Sequence, residues 1–102
     1  MSRPDFARHM EEDARLVILK ELAAQTNYSL NDTLLHKVCE SFGHNRSRDW
    51  VRTQIRKLAD LGAVAITEAG ADHLVATLTV PGQDHVYRRG VIEGVARPAP
   101  GA

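Results

Sequence analysis

The stretch 47–62, SRDWVRTQIRKLADLG, constrains this chain more than any other, because it carries both ends of a helix and a change of period behind it. Ser47 is a favoured N-cap, since its hydroxyl can accept from the free N–H groups of the first turn. Asp49 adds negative charge near the positive end of the helix dipole. Gly62 suits the C′ position, where a left-handed residue stops a helix. Val51, Ile55, Leu58 and Leu61 recur at helical spacing and predict a buried stripe. At about 100° per residue, Arg48, Arg52 and Arg56 form a slanting ridge beside it. Asp49, Thr53 and Asp60 face away from the core. An apolar back with an arginine ridge is what a helix that reads the major groove requires. A solvated amphipathic helix has the same pattern, because Arg is also a good surface helix former.

Two helices are expected before it. Residues 5–25 begin with Pro4 near N1 and acidic residues after it. Phe6, Met10, Ala14, Val17 and Leu22 give one apolar face. The run Leu16-Val17-Ile18-Leu19 covers most of the circumference, so this helix is buried on more than one side. Its second cover is either the rest of its own core or another copy of the chain. A short polar connection, 26–29, leads to a second helix over about 31–42, capped by Ser29 or Asn31. Leu34, Leu35, Val38, Cys39 and Phe42 form its stripe. Cys39 lies in that stripe and reads as a small buried hydrophobe. Gly43-His44-Asn45-Arg46 is then a tight turn. Two amphipathic helices joined by a four-residue turn containing glycine match the helix-turn-helix pattern.

Behind Gly62 the period becomes two. Residues 63–67, AVAIT, and 74–79, LVATLT, are β-branched and alternate, with a loop around Gly70 of hairpin length. A short fourth helix is expected from Thr79-Val80-Pro81-Gly82 to about Arg89. The predicted organisation is one domain over 1–94 and a flexible tail over 95–102, VARPAPGA. The fold class is mainly α with a small β-hairpin (α+β).

Formal net charge is zero over 102 residues, so nothing pulls the whole chain toward nucleic acid. The distribution is uneven. Residues 44–62 net +3 and residues 88–102 net +2, whereas 1–43 net −2 and 63–87 net −3. One cysteine excludes an intramolecular disulfide and suits a reducing cytoplasm. No apolar run approaches the length of a membrane span, and the N-terminus lacks the apolar segment of a signal peptide. A cytoplasmic protein without a membrane partner is expected.

The spacing Ser47-x-x-x-Val51-x-x-x-Ile55-x-x-Leu58-x-x-Leu61-Gly62-Ala63-Val64 resembles the recognition-helix-to-wing segment of winged helix-turn-helix regulators, in the style of the ArsR and MarR types. Leu78-Thr79-x-x-Gly82 resembles the opening of the helix that follows the wing. The chain over about 5–90, with its Arg-Pro-x-Pro tail at 97–100, is also similar to small winged-helix proteins of Mu-like prophages. The resemblance implies a winged helix-turn-helix fold of three helices, a two-stranded wing and a short fourth helix. It implies binding of double-stranded DNA by a small transcriptional regulator, with a dimer through the first helix supplying two half-sites. Two features depart from the pattern. The wing tip carries Glu68 and Asp72 and no Lys or Arg, although wings that touch DNA meet phosphate. The paired cysteines of ArsR-type metal sensors are missing.

Arg48, Arg52 and Arg56 are the expected contacts to guanine edges or phosphates, and Thr53 to a base or a thymine methyl. Arg46 and Ser47 sit at the start of the helix, where phosphate contacts are common. Trp50, on the flank of the stripe, is a packing anchor. His36 and Cys39 share one helical face, but two ligands do not make a structural zinc site. No phosphate-cradling glycine loop and no activated nucleophile is present, so no enzyme, metal or cofactor is expected. The alternative function is a winged helix used as a protein-interaction or assembly module of a prophage, without specific DNA binding. Zero net charge and the acidic wing favour that alternative; the arginine ridge favours DNA.

Overall fold

The computed structural model describes residues 3–100. Four helices and three strands follow in the order α1 (Arg3–Ala24), β1 (Ser29–Asn31), α2 (Asp32–Ser41), α3 (Arg48–Asp60), β2 (Val64–Glu68), β3 (Leu74–Leu78) and α4 (Val80–Val86). The class is α+β, as expected, but the sheet has three antiparallel strands and not two, in the order β1-β3-β2. The hairpin expected behind Gly62 pairs Val64 with Leu78 and Glu68 with Leu74. The missed strand is β1, whose Ser29, Leu30 and Asn31 pair with Thr77, Ala76 and Val75. Three residues are too few to show alternation, and their polar neighbours resemble a loop. The hydroxyls of Ser29 and Thr77 meet across this edge at 2.6 Å.

The helix boundaries are made by local chemistry. Asn31 caps α2, its side-chain oxygen accepting from Leu34 N–H at 2.8 Å. Ser47 caps α3 by accepting from Trp50 N–H at 3.1 Å. Both helices end in the paired hydrogen bonds of a Schellman motif. At α3 these run from Gly62 to Ala59 and from Ala63 to Leu58; at α2 they run from Gly43 to Glu40 and from His44 to Cys39. Gly62 and Gly43 hold φ of +80° and +90°, which a side chain would strain. Thr79 caps α4 and also donates its hydroxyl to the carbonyls of Gly62 and Ala63. The end of α3 and the start of α4 are thereby tied through one side chain.

The stripe of α3 is buried as expected: Val51, Ile55 and Leu58 are inaccessible, with Leu61 packed against the core. They meet Ile18, Leu19 and Leu22 of α1, Leu35 and Cys39 of α2, and Ala76 and Leu78 of β3. Helix α1 packs against α2, α3, α4 and β3, which accounts for its apolar run. Leu16, Ile18 and Leu19 are buried within one chain and only Val17 is half-exposed, so the run places no demand on a second copy. On α2 the expected stripe is only partly internal, since Leu34 and Phe42 are exposed.

The domain boundary drawn at 94/95 falls inside packed chain. Val95 is 5% exposed and belongs to the core, Ala96 N–H donates to Glu12 carbonyl, and Pro98 is buried. Arg15 explains why: buried in α1, it donates to Gln54 of α3 and to the carbonyl of Gly94. One guanidinium therefore holds the C-terminal segment onto the helices. The last two residues of the expected tail lie outside the described residues.

Candidate interface at the arginine ridge of α3

The ridge side chains do not stand free over solvent. Asp32, the first residue of α2, is fully buried and faces the start of α3. Its Oδ2 accepts from Arg48 Nη2 at 2.9 Å, and Arg52 Nε lies 3.5 Å from the same oxygen. Its Oδ1 accepts from the N–H groups of Thr33 at 3.1 Å and Leu74 at 3.4 Å. His73 Nδ1 lies 3.7 Å from Oδ1. Arg48 also donates to the carbonyl of Asp72 in the β2–β3 loop, with Arg52 Nη1 3.5 Å from that oxygen. The carboxylate thus joins α2, α3 and the hairpin. Burial works to raise the Asp32 pKa. The Leu74 N–H, the charge and hydrogen bond of Arg48 and the charge of Arg52 outweigh it and hold the group below its ordinary 3.8.

The remaining predicted residues fall into two groups. Ser47 is occupied as the cap, and Thr53 donates its hydroxyl to Asp49 carbonyl at 3.0 Å while remaining exposed. Arg46 and Arg56 are exposed. Arg46 lies over the Trp50 ring at 4.7 Å, and its carbonyl accepts from His36 Nε2–H at 2.8 Å. Trp50 in turn stacks near His44, whose Nε2–H donates to Asp13 at 2.7 Å. Arg56 meets Glu68 of β2 at 3.8 Å. The structure therefore brings Arg48, Arg52 and the hairpin loop together, and leaves Arg46, Thr53 and Arg56 on the outer face.

In α3, its approach and the segments paired with it, Arg46, Arg48, Arg52, Arg56 and Lys57 are equalled in number by Asp32, Asp49, Asp60, Glu68 and Asp72. Asp32 is the residue that sequence reasoning missed. Directly behind a cap it looks like an ordinary first-turn acid. The available signal was two arginines four residues apart on the following helix, both within reach of one carboxylate at the start of the preceding helix.

Among the described residues no group of three or more His, Cys, Asp or Glu could hold a metal ion. Cys39 is buried, and burial, helped by Asp13, pushes its thiol up to about 11. Among the described residues no helix is long and apolar enough to cross a membrane.

The chain is 41% identical over 93 residues to the uncharacterized protein gp26 of Escherichia phage Mu, covering 91% of this chain and 95% of that protein. It belongs to the gp26 family. An uncharacterized protein of Haemophilus influenzae is 31% identical to it over 74 residues, 72% of either chain. The gp26 likeness covers most of both chains, so the relationship to Mu-like prophages does not rest on a single motif. No family model matches the chain. No solved structure matches it.

Proposed function

We propose that this member of the gp26 family is a winged helix-turn-helix domain that serves a Mu-like phage as a non-catalytic protein-interaction or assembly module. The order α1-β1-α2-α3-β2-β3, with the sheet order β1-β3-β2 and a short turn between α2 and α3, supports the winged-helix reading. One observation carries the choice of function: buried Asp32 pairs with Arg48 and Arg52, so two of the three ridge arginines are already engaged with a carboxylate of their own chain. A DNA-contacting face draws most of its affinity from phosphate neutralisation and counterion release. Arginines so engaged supply less of that contribution, and a wing tip bearing Glu68 and Asp72 opposes it.

Specific DNA binding by a small regulator is the second reading. It is favoured by the exposure of Arg46, Thr53 and Arg56 along the outer side of α3. Titration of duplexes selected from a random pool beside unselected duplex, at increasing salt, separates the two. The interaction-module reading expects selected and random duplexes to bind equally weakly, around 10⁻⁴–10⁻⁶ M at physiological salt. A selected duplex bound far more tightly than random duplex, with the preference lost in Arg46→Ala and Arg56→Ala, would favour the regulator.

A further inference from the structure

A second basic region lies away from the α3 face. A cavity of about 370 Å³ is lined by Arg88, Arg89 and Arg97, with Val91 and Pro98 as apolar parts of its wall. A smaller cavity of about 220 Å³ shares Pro98 and continues over Ala23, Ala24, Val86 and Tyr87 to Lys20. The two adjoin at Pro98, with the arginines lining one and Lys20 and the apolar Ala23, Ala24, Val86 and Tyr87 lining the other; the pair is termed the groove.

The groove is held in shape from beneath. His85 is 1% exposed, and both ring nitrogens are used. Nε2–H donates to Ala96 carbonyl at 2.9 Å, and Nδ1 accepts from Ile92 N–H at 2.9 Å. These bonds pin residues 92–96 onto α4 and so hold Arg97 across the cavity from Arg88 and Arg89.

The arginines are under-neutralised. Among the described residues the Arg88 side chain has no carboxylate and no hydrogen-bond acceptor. Arg89 meets Asp84 through Nε at 3.1 Å and lies over the Tyr87 ring at 5.1 Å, which leaves its terminal nitrogens open. Arg97 has only a loose pair, 3.9 Å from an exposed Glu93. Arg88 also holds φ +62° just past the end of α4, a position where glycine is the unstrained residue. A charged side chain kept at a strained position beside a cavity marks a place where the side chain matters more than the local backbone.

We propose that this groove is the docking site for an acidic, partly apolar peptide segment of a partner protein, an inference that rests on the interaction-module reading. Carboxylates of the segment would take bidentate contacts from the terminal nitrogens of Arg89 and from Arg88 and Arg97. Its apolar side chains would cover Val86, Tyr87 and Pro98. A nucleic-acid backbone would satisfy the arginines but leave this apolar part uncovered, so the groove fits a peptide better.

The test is to pan a random-peptide display library on the intact protein and on the double variant Arg88→Gly, Arg97→Gln. The wild type should enrich peptides in which Asp or Glu alternates with apolar residues, and the variant should lose at least about tenfold in affinity for them. Arg88→Gly alone should melt no lower than the wild type, because glycine relieves the positive φ; this separates lost binding from lost folding. Peptides without acidic enrichment, or peptides bound equally by the double variant, would overturn the proposal. So would a random duplex that competes for the groove through Arg88 and Arg97, which would make it a phosphate site. Arg46→Ala and Arg56→Ala leave this groove intact, so failure of the groove proposal is distinguishable from failure of the interaction-module reading.

Discussion

Asp32 Oδ2 accepts from Arg48 Nη2 at 2.9 Å, joining the first residue of α2 to the first residue of α3. The pair crosses the turn that would set the angle between the two helices of a helix-turn-helix. Because the carboxylate also accepts from Leu74 N–H, the same residue fixes the hairpin against that turn. Two arginines that look from the sequence like a ligand-reading ridge are therefore partly structural.

Asp32→Ala should destabilise the fold by about 3 kcal/mol, toward the low end for breaking a buried ion pair. The low end applies because Arg48 and Arg52 are partly exposed and can turn to water, whereas Leu74 N–H loses its acceptor. Urea unfolding of wild type and variant measures the difference.

The same carboxylate makes stability depend on pH. Its folded pKa lies below the ordinary 3.8, so the unfolded chain binds the proton more readily between the two values. Its contribution is fully present above the unfolded value and is lost as pH falls through the folded one. The melting temperature of the wild type should therefore fall more steeply below about pH 4 than that of Asp32→Ala, and the two curves should converge in acid.

Arg52 and Arg56 should separate in their effect on folding, although their spacing suggests equivalent exposed positions. Arg52, whose side chain is 22% exposed, helps compensate Asp32, so Arg52→Ala should cost roughly 1–2 kcal/mol. Arg56→Ala removes only a surface pair with Glu68 and should stay within about 0.5 kcal/mol. Parallel denaturation curves compare the two.

Gly82→Ala should cost roughly 1–3 kcal/mol through overpacking. A Cβ there would strike the carbonyl of Ala63, a backbone atom that cannot yield cheaply, and come within 2.6 Å of Leu78 Cδ1. Since that carbonyl also accepts from Thr79, the loss should appear as earlier melting of α4, visible in amide exchange at 80–86.

Cys39 should resist alkylation at neutral pH until the protein unfolds. Its thiol is inaccessible and pushed up to about 11, so little thiolate forms and none is exposed. Iodoacetamide labelling across a urea titration should follow the unfolding transition. Rapid labelling of the native protein would contradict the burial.

Much of the fold was legible because it is written in local signals. Ser47, Gly43 and Gly62 delimit helices through their own backbone chemistry, and period-two alternation around Gly70 gives the hairpin. Strand β1 was not legible, because Ser29–Asn31 becomes a strand only by pairing with β3, a contact far along the chain. The placement of Val95 and Pro98 was hidden for the same reason. A Pro-rich terminus looks like a tail until Arg15 and His85 supply its hydrogen bonds. At the candidate site the arginines were found, but their direction was not. Helical spacing places side chains around an axis and says nothing about which carboxylate a neighbouring helix brings to them.

On the interaction-module reading proposed above, the α3 face does not read DNA sequence. Selecting bound duplexes from a random pool over several rounds, then titrating the survivors against unselected duplex, tests it most directly. No motif should be enriched, and selected and random duplexes should bind with equal, weak affinity. An enriched motif bound about a thousandfold or more tighter than random duplex, the ratio of a specific binder, with preference lost in Arg56→Ala, would contradict it.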